Sequence, residues 1–174
     1  MTSHRKTENN ELIFGVHNHF QSGIFPITIQ GREYVVDAET PVDCGDDSYF
    51  LLVTAGAGTM YVNNIHFSLK RGMLICLGPF HACRIVPQPG AALHLMEAHI
   101  NSGAYMYILS CPYLPIKTLI IPDEPAIVSL SEPETHIAET IIQKLPLLHS
   151  VDYLEEKLSF LYMMQLYGLL ISNS

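Results

Sequence analysis

Between Tyr49 and Leu77 the chain reads YFLLVTAGAGTMYVNNIHFSLKRGMLICL, and it then runs into Gly78-Pro79-Phe80-His81. Short apolar runs are cut by glycines, by Asn63-Asn64 and by Lys70-Arg71-Gly72. They recur at intervals of about ten residues, the punctuation of an all-β sandwich or small barrel. Such a barrel has a mouth and an interior where a small molecule can be held. The segment therefore points to a ligand-binding module before any chemistry is considered.

Ser48 to Thr54 is apolar on both faces, which predicts a strand covered on both sides. Ala55-Gly56-Ala57-Gly58 permits a sharp reversal, because glycine accepts a positive φ. Thr59 to Val62 is expected to pair with Ile65 to Leu69 across Asn63-Asn64, since asparagine tolerates the left-handed backbone of a tight hairpin. Met73 to Leu77, His81 to Val86, Ala91 to Asn101 and Ala104 to Leu109 follow as strands. Upstream, Glu11 to Val16 and Ile24 to Ile29 read as strands, Gln30-Gly31 as a turn into Glu33 to Val36, and Asp37 to Asp47 as a loop. Leu119 to Ile121, set among Pro112, Pro115, Pro122 and Pro125, reads as a short edge strand.

The periodicity changes at Ser131. Ser131 and Glu134 fit a capping box with Pro133 in the first turn, and Ile137, Ile141, Ile142 and Leu145 recur at helical spacing. Asp152 and Glu155 fit a second capping box. The helix after it carries Leu154, Leu158, Leu161 and Tyr162 on one side, and Phe160, Met163, Tyr167 and Leu170 on another. That is more apolar surface than a helix with one wet face needs. One side is expected on the barrel and the other against a second copy of the chain, with burial inside one monomer as the plainer alternative. The expected division is a polar arm over residues 1–10, a β-barrel over 11–130 and a two-helix segment over 131–174.

At 174 residues the chain has the length of one domain that buries its own core. Its 17 acidic residues outnumber 9 scattered basic ones, for a net charge of −8. Nucleic-acid binders present a basic face, so this chain is a poor candidate to touch DNA itself. Cys44, Cys76, Cys83 and Cys111 match no zinc spacing and read as reduced thiols. Met1 to Glu11 is polar, with no signal peptide, and the apolar run Leu158 to Ile171 is too short for a bilayer. A cytoplasmic protein without a membrane partner is expected.

His81 opens a strand of the expected barrel, with Cys83 and Ile85 on its face. Its imidazole can donate to or accept from a ligand, or it can be a half-exposed turn histidine. Glu97 and His99 share one face of the long strand and His94 takes the other; which face is interior stays open. His17-Asn18-His19 puts two imidazoles on one side of a short strand. A metal there needs further ligands such as His81 and Glu97, and nothing in the sequence makes these converge. No nucleophile elbow, phosphate-binding loop or dinucleotide fingerprint is present, and Gly56-Ala57-Gly58 lacks the helix a phosphate cradle needs.

The run Phe50 to His81 resembles the sensor domain of AraC-type transcription regulators, which has the cupin fold. The features that match are a strand ending near Gly56 and Gly58, a hairpin, Leu69-Lys70-Arg71-Gly72, Met73 to Leu77, Pro79 and His81. A later strand ending at Ile100 and two C-terminal helices extend the resemblance over Ser48 to Asn173. It implies a mainly β protein, a cupin-like double-stranded β-barrel followed by two α-helices. The barrel would bind a small-molecule effector without a cofactor or catalysis, and the helices would form a homodimer. Carried over by position, His81, Cys83, Leu95 and Glu97 line the pocket, with Tyr61 and Arg84 as further candidates. Leu158, Leu161, Met163, Tyr167 and Leu170 are the residues expected at the dimer seam.

In whole regulators a helix-turn-helix domain follows and contacts DNA. Here only Ser172-Asn173-Ser174 come after the second helix, so DNA contact is expected through a C-terminal domain absent from this chain. Metal-dependent cupin enzymes carry an H-x-H and a downstream Glu after the first glycine of this region, where this chain has Thr59-Met60-Tyr61-Val62. The expectation is a regulator domain sensing a small polar metabolite such as a sugar. The alternative is a small metal-dependent single-domain cupin enzyme that recruits His17, His19, His81 and Glu97.

Overall fold

Alternating apolar residues drive the strands into two antiparallel sheets. The computed structural model describes residues 29–45, 47–79, 81–101, 124–145 and 153–174. The expectations for the arm, for Glu11 to Val16, His17, His19, Ala104 to Leu109, Cys111 and Leu119 to Ile121 lie outside these residues. The described strands are β1 (Ile29–Val36), β2 (Asp43–Cys44), β3 (Ser48–Ala55), β4 (Ala57–Val62), β5 (Ile65–Lys70), β6 (Met73–Leu77), β7 (Ala82–Pro87), β8 (Leu93–Ile100) and β9 (Ala126–Ser129). Helices α1 (Glu132–Lys144) and α2 (Tyr153–Ser172) follow. One sheet has the order β1-β8-β3-β6-β9 and the other β2-β7-β4-β5. The fold is mainly β, a cupin-like barrel followed by two helices, as expected.

Two cores share the larger sheet. On its inner face Val36, Leu51, Val53, Ile75 and Leu95 pack against Met60, Val62, Cys83 and Ile85 of the smaller sheet. On its outer face Phe50, Leu52, Leu74, Met96 and Ile100 pack against the helices. Strand β3 contributes to both cores in alternation, which is why it carries no polar face. Each fully buried aliphatic or aromatic side chain stabilises the fold by about 1.5–3 kcal/mol.

Several local expectations change under tertiary pairing. Gln30-Gly31 is not a turn but part of β1, opposite His99 and Ala98 of β8. An eight-residue antiparallel ladder outweighs the turn preference of one dipeptide. Asp43–Cys44 forms a short strand on Cys83 and Ala82 within the expected loop. Gly56 does not close a hairpin, because β3 and β4 lie in different sheets. With φ 81° it carries the chain from one sheet to the other. Strand β9, unmarked among the prolines, pairs Val128 with Leu74 of β6. The Asn63-Asn64 hairpin is present, with Asn63 at φ 50°. Asn63 Oδ1 accepts from the Ala82 N–H at 3.0 Å, tying the hairpin to β7.

Helix α1 starts where the capping box predicts: the Ser131 N–H donates to Glu134 Oε2 at 2.9 Å. It buries Thr135, Ala138, Ile141 and Ile142. Ile137 is exposed, contrary to its expected place in the apolar stripe. It precedes Ala138 by one residue, about 100° round the helix. From α2, Met163, Leu166, Tyr167 and Leu170 enter the same core, with the Tyr167 ring edge-on to Phe50 at 4.7 Å. Met163, Tyr167 and Leu170, expected at a dimer seam, are thus buried inside the monomer. Leu161 is 55% exposed and Leu158 is half-buried, so only these two of the five leave apolar surface outside.

Candidate functional site

The two-residue period of β8 sends Leu95, Glu97 and His99 to the inner face. Glu97 stands between Arg32 of β1 and Leu51 of β3 in the ladder. It is 0% exposed. Arg32 Nε lies 3.6 Å from its Oε1, and the Arg32 side chain reaches solvent. Tyr34 of β1 turns its hydroxyl toward the same carboxylate and helps to hold its charge, but the contact is loose, and the Glu97 oxygens find no hydrogen bond of good geometry among the described residues. Burial pushes the Glu97 carboxyl up to about 7; Arg32 and His99 pull it down, while Asp43 adds to the rise. Burial also raises the Tyr34 phenol well above its ordinary range, and the Glu97 charge adds to it.

One step along β8, His99 Nε2 is 2.8 Å from Asp47 Oδ2. Its ring stacks on Tyr49, with centroids 4.9 Å apart and planes 23° apart. In the neutral ring this pairing puts the proton on Nε2 and leaves Nδ1 as an acceptor. Nδ1 is buried without a hydrogen-bond partner among the described residues. From the facing sheet comes Cys83, whose thiol is pushed up to about 12, chiefly by burial and then by Asp43 and Glu97. Asp43 pairs with Cys83 in the β2–β7 ladder and is itself raised by partial burial.

Of the residues expected to line the pocket, His81, Cys83, Leu95 and Glu97 are buried, and the last three lie on the inner faces of the two sheets. His81 is committed locally: its Nδ1 accepts from the Gly78 N–H at 2.9 Å, closing the turn between β6 and β7. Tyr61 and Arg84 alternate with inward residues and so occupy the opposite face of the smaller sheet. There the Arg84 guanidinium sits 4.5 Å above the Tyr61 ring and pairs with Glu39. That placement corrects the expectation for both. The sequence reading missed Arg32, Tyr34, Tyr49, Asp43 and Asp47. For Tyr34 the signal was alternation with Val36 within the expected Glu33 to Val36 run, while the supposed turn at Gln30-Gly31 cut that run short of Arg32. Among the described residues no three His, Cys, Asp or Glu side chains are grouped to hold a metal ion, and His17 and His19 lie outside them.

No protein-family model and no curated protein sequence matches the chain. Solved structures do match. ToxT from Vibrio cholerae bound to a methylnaphthalenyl butenoic acid aligns with a TM-score of 0.56 at 10% identity, over 84% of this chain and 58% of that one. Wild-type ToxT from Vibrio cholerae bound to an unsaturated fatty acid aligns with a TM-score of 0.52 at 9% identity, over 86% and 58%. A cupin 2 conserved barrel domain protein from Salinispora arenicola aligns with a TM-score of 0.41 at 9% identity, over 53% and 78%. The chain spans 58% of the length of these ToxT structures. Its cupin-like barrel and two following helices make a fold shared with ToxT, an AraC-family regulator.

Proposed function

We propose that the chain is the effector-binding and dimerisation part of an AraC-type transcription regulator, acting as a binding module and not as an enzyme. The observation that carries this reading is Glu97, a fully buried carboxylate at the polar end of an apolar barrel, met among the described residues only by a loose Tyr34 contact and by Arg32 at 3.6 Å. Burying an ionisable group without full compensation costs stability, and an apolar residue would pack there at less cost. A ligand that supplies the missing hydrogen bonds offsets that cost. In the ToxT structures the bound molecules are a fatty acid and a butenoic acid. For this chain the reading is a small metabolite whose polar part meets Glu97; a sugar is one such molecule.

The shared sheet suggests how occupancy would reach the helices. Leu51 lies beside Glu97 on the inner face, while its neighbour Phe50 touches Tyr167 of α2 on the outer face. Arg71 donates to the Thr54 carbonyl and pairs with Glu132 and Glu139 of α1, so the end of β3 is tied to that helix. A ligand that favours one placement of β3 and β8 would bias the helices, provided its affinity differs between the two arrangements. A second copy would dock on the Leu158 and Leu161 side of α2. DNA contact would belong to a helix-turn-helix domain, which suits the net charge of −8. Among the described residues no helix is long and apolar enough to cross a membrane.

The test is a thermal-shift panel of sugars, amines, amino acids and carboxylic acids, because a ligand that binds only the native state raises its midpoint. A binder that Glu97→Gln weakens supports the reading. A stoichiometric metal ion lost on His81→Ala, together with turnover of a substrate, would replace it with a metal-dependent enzyme.

A further inference from the structure

We propose that the polar end of the barrel takes its ligand by a protonated amine, an ammonium head seated among Glu97, His99 and Tyr34 with its apolar tail along Leu51 and Leu95. This rests on the reading that the barrel holds an effector, and it names the chemistry of that effector.

The unmet groups are mostly acceptors. Glu97 offers two oxygens, and His99 offers Nδ1 once Nε2 is engaged by Asp47. The Tyr34 hydroxyl serves either way. An ammonium has three donors and no acceptor, which matches this set. A sugar hydroxyl brings an acceptor with every donor, and among the described groups facing the site the donors are Tyr34, which already leans on Glu97, Arg32, the Tyr49 phenol and the weakly donating Cys83 thiol. A carboxylate ligand fits worse still. Glu97, Asp43 and Asp47 already place three acidic groups around the site, against Arg32, which sits 3.6 Å from Glu97. A fourth negative charge would be repelled where burial weakens screening. The groups that face Glu97 are Arg32 and Tyr34 of β1, Asp43 of β2, Tyr49 of β3 with Asp47 before it, Cys83 of β7 and His99 of β8. None of the uncharged ones alters that balance. Leu51 and Leu95 flank the carboxylate and offer the tail an apolar wall.

The experiment is calorimetry of the full chain with three probes of equal length: n-hexylamine, hexan-1-ol and sodium hexanoate. Hexylamine is expected to bind at least about tenfold more tightly than either of the others at pH 8. Glu97→Gln, which keeps the shape of the side chain, should abolish that preference, and Tyr34→Phe should weaken it by a smaller factor. At pH 6, hexylamine should expel a proton from the wild-type protein, seen as a heat that varies with the buffer, and not from Glu97→Gln. Hexanoate or hexanol binding as tightly as hexylamine would overturn the amine assignment while leaving the effector-binding reading in place. Hexylamine affinity unchanged in Glu97→Gln would do the same. No binding by any of the three overturns the amine assignment, and no binding by the wider metabolite panel removes the effector-binding reading as well.

Discussion

Arg32 and Glu97 stand directly opposite each other in the β1–β8 ladder, 3.6 Å apart at their nearest charged atoms, but only Arg32 reaches water. The pair is therefore lopsided. Arg32 keeps part of its hydration, while Glu97 has lost its own and has Arg32, among the described residues, as its nearest fixed cation at longer than hydrogen-bond range. That is why burial, not the ion pair, sets the direction in which the carboxyl moves.

Stability should depend on pH through Glu97, with a sign fixed by that direction. Its carboxyl rises from an ordinary 4.5 to about 7 on folding. Between these values the folded chain holds a proton that the unfolded chain has released. Stability from this group is thus full below pH 4.5, falls as pH climbs to 7, and is flat above. The full span is about 3 kcal/mol. Glu97→Gln removes the group, so the difference between variant and wild type in urea unfolding should grow toward the variant by about 2–3 kcal/mol from pH 5 to pH 8. Parallel pH profiles for the two proteins would show that Glu97 is ionised at no unusual cost.

Arg32→Met should push in the opposite direction. Removing the guanidinium that does most to hold the Glu97 charge, among the described residues, leaves that charge less compensated, so its carboxyl rises above about 7 and the protein weakens mainly at alkaline pH. Because Arg32 is partly solvated, the expected loss at pH 8 is about 1–2 kcal/mol, below that for a fully buried pair. The same substitution in a Glu97→Gln background should cost little. Equal costs in both backgrounds would mean that Arg32 acts through packing or another partner.

The strands from Ser48 to Leu77 were legible because their signals are local: glycine, paired asparagines and a two-residue period that tertiary contacts only reinforce. So were both helices and the capping box at Ser131. The site was only half legible. Period two places Cys83 with Ile85, and Leu95 with Glu97, on one face each, but it cannot say which face is inside; Tyr61 and Arg84 fell on the wrong side of that ambiguity. Arg32, Tyr34 and Asp47 meet Glu97 and His99 through pairing across 50 residues or more of chain, and no local pattern encodes a register of that kind. The excess apolar surface of α2 was real, yet most of it serves the outer core of the shared sheet rather than a partner.

Leu161 and Met163, two residues apart on α2, separate folding from association. Met163 is fully buried against the sheet, so Met163→Glu puts an uncompensated carboxylate into the core and should cost 3 kcal/mol or more, on the order of the whole stability margin of a small domain. Leu161 is exposed, and Leu161→Glu should leave stability within about 0.5 kcal/mol. If that side of α2 is the seam, sedimentation should nevertheless find the Leu161→Glu protein monomeric where the wild type is dimeric. A Leu161→Glu protein with wild-type mass would move the seam elsewhere.

Gly56 and Gly90 share a left-handed backbone, at φ 81° and φ 76°, but not the same surroundings. A Cβ on Gly56 would lie 2.2 Å from the Ala92 carbonyl oxygen, whereas one on Gly90 meets nothing within 4 Å. Both alanine variants pay the left-handed strain of about 1–2 kcal/mol. Gly56→Ala must also move backbone, because a carbonyl oxygen cannot swing aside as a side chain does. The added cost should make Gly56→Ala less stable than Gly90→Ala by at least about 1–2 kcal/mol in urea unfolding. The displacement falls where β3 leaves the larger sheet, next to the register shift between Val53 and Ala55 against β8. Since β3 and β8 hold Tyr49, Glu97 and His99, Gly56→Ala should weaken binding of whatever ligand stabilises the wild type, while Gly90→Ala should not. Equal stability and equal binding in the two variants would mean that the close approach of Gly56 to Ala92 does not constrain the site.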